Sequence, residues 1–381
     1  MEFALDDVLR ELLMLAREVF ADHSDPERLS ALASQGSAVD PDLWAALAAS
    51  GLLGVSLPEQ VGGGDLGMVA LALVLEEQGA HLAQVPLWSA AVAARCIAAG
   101  PHELAGAVLP TYVDGGCRIA LGLEEAASPD CLLPTTWCEP SVGQATVRSV
   151  PATHVVTGAK VLIPAGGDAA VLVLTAMTAD GPVVLAVDPE GAGVQATMSR
   201  TTSCDTAATV DLDRAPAVQV AGPGPAGVPR LLAEAQTALA ACQTGVARGA
   251  TRLAADYVSS REQFGRPIGT FQAVQHKVAD CHIDVSAQRA TCWQAAYALD
   301  AADTPTDQTL AHAHVAAWWA QRAGLDVVHR VLHLHGGMGV DVDYPAHRYF
   351  LRGKENASFF GAQQQSLASL GTLVALGGVS A

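Results

Sequence analysis

Residues 261–276 read REQFGRPIGTFQAVQH. Upstream of them, Leu232, Ala235, Leu239, Cys242, Val246, Ala250, Leu253 and Tyr257 recur at the spacing of one helix face. Gly265-Arg266-Pro267 interrupts that helix, because proline lacks an N–H and glycine takes turn dihedrals freely, and Gly269-Thr270 opens another. The stretch is therefore a joint between two long helices. It gathers Arg261, Gln263, Arg266 and Gln272 in one place, and guanidinium and amide donors so gathered can hold a diphosphate or an adenine edge. The plainer reading is a helical hairpin with a solvated arginine, which spacing alone favours.

Working outward, three more helices are expected over residues 271 to about 302, 306 to about 335 and 344 to about 370. Long helices with short joints predict an antiparallel four-helix bundle. Residues 221–229 (AGPGPAGVP) form a hinge before it. Residues 117–219 change character, with short β-rich runs at 154–156, 161–163, 171–174, 183–187 and 209–212, set apart by turn glycines such as Gly158. No strand–helix alternation appears, so a small antiparallel barrel or sandwich is expected and a parallel sheet is not. The first stretch reads helical, with Asp40 and Pro41 as N-cap and first helical residue, a Pro/Gly loop at 56–64, and an apolar helix from about 66 to 78. The expected α+β organisation is residues 1–115 helical, 116–222 β and 223–381 a helical bundle.

Half of the 381 residues are hydrophobic and 16% are charged, which points to a large core and an oligomer interface. The net charge of -18 argues against nucleic-acid and anionic-membrane binding. No secretion signal and no apolar run long enough to span a bilayer is read, so a cytoplasmic protein is expected. The eight cysteines form no CxxC pair and are read as small core residues, with no metal site. His333 and His335, two residues apart on a helix, do not face each other and are not read as a metal pair.

The 261–276 segment resembles the RxxFGxxxxxFQ signature of the acyl-CoA dehydrogenases. Other stretches resemble that family in the same order. Residues 57–64 and Glu76-Glu77-Gln78-Gly79 are similar to its PEEYGG and EELG stretches, 156–165 to GxKxWITNA, and 333–349 (HLHGGMGVDVDYPAHRY) to QxxGGxGY…R. The resemblance implies FAD lying between two subunits, one carrying the flavin wall and catalytic base, the neighbour reaching the pyrophosphate and adenine. It assigns the neighbour's part to Arg261, Gln263, Phe264, Gln272, Gly336 and Gly337, with His333 where the family has Gln.

The other half departs from the family pattern. The flavin loop ALTEPGAGSD reads LGLEEAASPD over residues 121–130, with Leu123 for Thr, Glu125 for Pro and Pro129 for Ser. Leu162, Ile163 and Pro164 stand for Trp-Ile-Thr, and Pro164 has neither hydroxyl nor N–H to offer a flavin. The YEGT stretch reads Phe359-Phe360-Gly361-Ala362, so the base position holds Phe360. Phenylalanine cannot abstract the α proton of a thioester. Some members carry the base on the long helix after the β domain. Counting back from Arg261 that place is Ala235, and Glu234 is about 100° of helix rotation away. Glu234 is the fallback base, set against a first-turn surface carboxylate favoured by the helix dipole.

The resemblance thus implies an FAD-dependent acyl-CoA dehydrogenase subunit that completes the FAD site of a second, catalytic subunit in an α2β2 heterotetramer. It further implies CoA thioesters of fatty acids or steroid side chains as substrates, and a flavoprotein or quinone system as electron acceptor. Two other readings stay open: a self-sufficient homotetramer using Glu234 or an unrecognised base, and a flavin-free binding protein on the same scaffold.

Overall fold

The structure, a computed structural model, describes residues 5–35, 39–141 and 143–379. Helices α1 (Asp7–Asp22), α2 (Pro26–Gln35), α3 (Pro41–Ala49), α4 (Gly67–Ala80), α5 (Leu87–Ala98) and α6 (His102–Val113) come first. Asp40 caps α3 as its sequence predicts, accepting from the N–H groups of Asp42 and Leu43, and Arg28 neutralises it. Helix α4 is apolar nearly all round and is accordingly buried from Ala70 to Gly79. It crosses α7 (Val228–Ser260) backbone to backbone. A Cβ on Gly79 would lie 1.9 Å from the Cys242 carbonyl oxygen, and one on Gly245 would lie 2.0 Å from that of Glu76. Beside the crossing, Glu76 and Glu77 are buried, and Arg248 reaches both, at 3.0 and 2.8 Å. Arg289 adds a second ion pair to Glu76 and Arg17 one to Glu77. Burial pushes the Glu76 carboxyl up. At Glu77 burial acts the same way, but Arg248 and Arg17 outweigh it and hold that carboxyl below its usual range.

The middle region contains β1 (Ile119–Gly122), β2 (Trp137–Pro140), the short hairpin β3 (Thr146–Val147) and β4 (Val150–Pro151), β5 (His154–Pro164), β6 (Val171–Thr178), β7 (Gly181–Val187), β8 (Val194–Arg200) and β9 (Thr206–Ala221). Strands β6, β2, β5, β9 and β7 follow one another, and β7 pairs back on β6, so the sheet closes into a ring with β1 and β8 attached. Its interior is packed with Val156, Ile163, Leu172, Leu185, Val210 and their neighbours. The sheet is mixed, which corrects the antiparallel expectation: β1 runs parallel to β6 from Ile119↔Val171 to Gly122↔Leu174, and β2 meets β6 in parallel at Trp137↔Met177. Parallel pairing needs only a long crossover, and residues 123–170 supply one without a helix of the βαβ kind. The runs at 154–156 and 161–163 are one strand rather than two. Gly158, at φ 148°, sits at a register shift inside β5 instead of ending it.

The bundle consists of α7, α8 (Gln272–Asp300), α9 (Asp307–His335) and a fourth arm divided into α10 (Ala346–Asn356) and α11 (Ala362–Ala375). That division corrects the continuous helix expected over 344 to 370. Phe360, Gly361 and Ala362 all take positive φ, and three such residues in a row end an α-helix. Between α7 and α8 the joint forms a two-residue hairpin, β10 (Glu262–Gln263) with β11 (Arg266–Pro267).

Lys160 and Glu125 form a fully buried ion pair, 2.6 Å apart, that ties the 121–130 loop to the barrel. Thr135 and Thr136 donate their N–H groups to the same carboxylate. Burial alone would raise Glu125, but Lys160 and these donors overcome it and hold the carboxyl at about 2. Lys160→Met should therefore lower stability by about 3–5 kcal/mol in urea unfolding, because it strands a buried carboxylate. The folded pKa of Glu125 is depressed, so its contribution is full above the ordinary Glu range near ~4.3 and fades as pH falls from there. A Lys160→Met variant as stable as the parent would show the pair to be dispensable.

Candidate functional site

Three helix ends meet at one end of the bundle. The ring of Tyr257, near the end of α7, stacks on His335 at 4.5 Å, and Lys277 in the first turns of α8 contacts Nδ1 of His333. This brings the joint 261–272 beside the glycine turn 336–340. Arg261, Gln263, Gln272, His333, Gly336 and Gly337 are all exposed there, and Phe264 is 92% exposed. Phe264 takes φ 54° and Gly265 φ 77°, so the hairpin tip holds the Phe264 ring outward, edge-on to Phe271 at 6.0 Å. Arg266 lies over the Phe271 ring at 4.3 Å, and Arg261 and Arg266 are both exposed. Gly336 turns at φ 59°, and a Cβ on Gly336 or Gly337 would meet nothing within 4 Å. The face thus offers open backbone and exposed donors, groups that could hold a diphosphate or an adenine edge. Lys277 was not singled out in the sequence; only the packing of α8 on α9 brings its charge to His333. His335 is buried and accordingly kept from charging, apart from exposed His333.

The positions matched to the flavin wall look different. Leu123 is buried, Leu162 is partly exposed at φ 53°, and Pro164 ends β5. Phe360 is 3% exposed, with Trp88 edge-on to both Phe359 and Phe360 at 5.4 and 6.1 Å. The Phe360 N–H donates to the Glu124 carboxylate. Glu124 is therefore the carboxylate beside this position, pushed up by burial, and its hydrogen bond holds the left-handed turn in place. The sequence carried no sign of that contact, which joins residues 236 positions apart.

Glu234 is not the first-turn surface carboxylate of the plain reading. It lies in the second turn of α7 and is 4% exposed. Arg95 grips both its oxygens at 3.1 Å, and Arg230 donates to Oε1 at 3.1 Å. Burial would raise its carboxyl, but the two arginines outweigh that and hold it below the usual range. A carboxylate so held, with three guanidinium hydrogen bonds made to it, is a poor proton acceptor.

Comparison with known proteins agrees with the fold and with the motifs. The family model for the acyl-CoA dehydrogenase N-terminal domain matches residues 7–116, and that for the C-terminal domain matches residues 228–371. The acyl-CoA dehydrogenase FadE27 of Mycobacterium tuberculosis is 30% identical over 97% of this chain and 98% of its own length. The chain belongs to the acyl-CoA dehydrogenase family, FAD-dependent oxidoreductases acting on CH–CH bonds. Among solved structures, a Tcur3481-Tcur3483 steroid acyl-CoA dehydrogenase variant matches with a TM-score of 0.91 at 45% identity, covering 98% of this chain and 99% of that one. The ChsE4-ChsE5 complex from Mycobacterium tuberculosis matches with a TM-score of 0.89 at 29% identity, covering 98% and 99%. Among the described residues no helix is long and apolar enough to cross a membrane.

Glu234→Gln should cost on the order of 3 kcal/mol in urea unfolding, because it takes from Arg95 and Arg230 the carboxylate they share in a buried site. FAD bound per folded complex should not change. Full stability together with lost turnover would reverse this assignment and make Glu234 a base.

Proposed function

We propose that this chain is the non-catalytic subunit of a heteromeric acyl-CoA dehydrogenase and completes the FAD site of a catalytic partner. The observation that carries the reading is the asymmetry between its two faces. Arg261, Gln263, Gln272 and His333 are presented outward beside a glycine cradle, whereas the base position is filled by Phe360 and sealed by Trp88. FAD, when bound, accepts the hydride leaving the β carbon of the thioester.

This chain's own share is binding and orientation. Arg261 would supply a charge-assisted contact to the diphosphate, Gln272 and His333 would offer further hydrogen-bond donors, and the exposed Phe264 ring would give an apolar surface against the cofactor. Gly336 and Gly337 let the backbone approach a phosphate without a side chain between. The proton is taken by the partner, because Phe360 and Ala235 themselves carry no carboxylate, and Glu124 beside Phe360 is engaged by the Phe360 N–H. The similar structures are of two-chain assemblies, one described as a steroid dehydrogenase, which favours a CoA thioester with a steroid side chain as substrate. A flavoprotein or quinone system would serve as the electron acceptor.

Expressed alone, the chain should show no dehydrogenase activity, since general-base loss by itself costs a factor of about 10²–10⁴. Co-expressed with a catalytic partner, it should yield a heterotetramer with one FAD per heterodimer, read from flavin absorbance after gel filtration. Arg261→Ala should sharply lower that flavin content while the assembly persists. FAD and turnover in the chain alone would favour the homotetramer. A heteromer without FAD, or no heteromer at all, would favour the binding-protein reading.

A further inference from the structure

Lys277 sits in the second turn of α8 with its ammonium on Nδ1 of His333, in the last turn of α9. Among the described residues it has no carboxylate partner, although the chain carries 39 acidic residues against 21 lysines and arginines. Helix packing sets this contact. Asp284, two turns further along α8, pairs with Arg330, one turn back on α9. Further on, Gln294 reaches Nε2 of His312 at 3.2 Å. These rungs fix the antiparallel register of the two helices, and that register puts Lys277 opposite His333.

An ammonium has donors and no acceptor. The Nδ1 it contacts is therefore the acceptor nitrogen of a neutral imidazole, and the ring proton belongs on Nε2. Nε2 has no protein partner among the described residues, and His333 is exposed, as are Gly336 and Gly337. The other tautomer, or a ring turned over, would put a lone pair where Nε2 now offers an N–H. Phosphate oxygens and adenine ring nitrogens are acceptors, so only the first arrangement can donate to them. The Gln that the family pattern has here carries an N–H2 of its own, whereas a neutral imidazole has one N–H whose place must be fixed.

We infer that Lys277 is a positioning residue for the cofactor: it holds the His333 ring in the Nε2–H form, so that a histidine serves where the family pattern has glutamine. The inference rests on the subunit reading above, in which this face meets FAD. Lys277 acts through His333 and does not itself touch the cofactor. The plainer role, a cation answering the dipole at the end of α9, would add stability and leave the ring free.

The first measurement uses the full-length chain alone, isotope-labelled at the histidine ring nitrogens and read by NMR at about pH 8, above the ordinary imidazole range. The His333 signals are those lost in His333→Ala. Nε2 should carry the proton and Nδ1 none, and Lys277→Met should bring in the Nδ1–H form. The second measurement is the FAD affinity of the co-expressed heteromer, read from flavin fluorescence. His333→Ala should weaken FAD about tenfold through loss of one hydrogen bond. Lys277→Met frees the ring among two tautomers and two ring flips, so about a quarter of it stays competent and FAD should weaken about fourfold. The double variant should be no weaker than His333→Ala alone. A proton on Nδ1 in the parent, a ring or an affinity unmoved by Lys277→Met, or losses that add in the double variant overturns the inference; added losses would mean that Lys277 meets the cofactor directly. A parent heteromer without FAD overturns the subunit reading, and this inference with it.

Discussion

Everything that positions the functional face depends on the crossing of α4 over α7. Two glycines let the helix backbones touch, and any side chain at Gly79 or Gly245 would collide with a carbonyl of the other helix. Such close contact leaves no room for water, so the adjacent carboxylates Glu76 and Glu77 must be neutralised by the protein itself. Arg248 from α7, Arg289 from α8 and Arg17 from α1 do this, and each joins a different helix to α4. Burying two neighbouring like charges is costly unless each is paired. The same cluster therefore sets which helices lie side by side and at what depth. Helix α7, held at its middle, carries Glu234 towards one end and Arg261 at the other.

Those two ends have been given opposite treatments. At the Glu234 end, arginines from α5 and α7 close around a carboxylate, so that a proton acceptor becomes part of the scaffold. At the Arg261 end, a tight hairpin and a glycine turn keep donors and one aromatic ring in solvent. A hydrophobic ring as exposed as Phe264 is unusual on a folded chain unless something covers it. At the matched base position Phe360 packs edge-on against Trp88, and its left-handed turn is held by Glu124.

The helical stripe from Leu232 to Tyr257 and the break at Gly265-Arg266-Pro267 were readable because period and turn chemistry are local properties. The motif at 261–276 carried the family for a similar reason: its spacing is uninterrupted. The continuous helix expected over 344 to 370 failed at Phe360, where no glycine or proline starts the break. Its cause is a carboxylate from the loop after β1 together with the packing of Trp88, and neither is near in sequence. The parallel pairing of β1 with β6 was hidden in the same way, since a four-residue strand leaves little periodicity and its direction depends on a partner about fifty residues on.

By itself, the sequence determined the helix–β–helix order and the family, because these follow from residue identity and short-range spacing. Tertiary structure decided what the surviving carboxylates do. Glu234 reads along the chain as a fallback base or a surface carboxylate and Glu124 is not singled out, but Arg95 and Arg230 neutralise one and the Phe360 N–H binds the other. The properties of a carboxylate are set by the charges and donors folded around it, and those come from segments that only the packing of α4, α5 and α7 brings together.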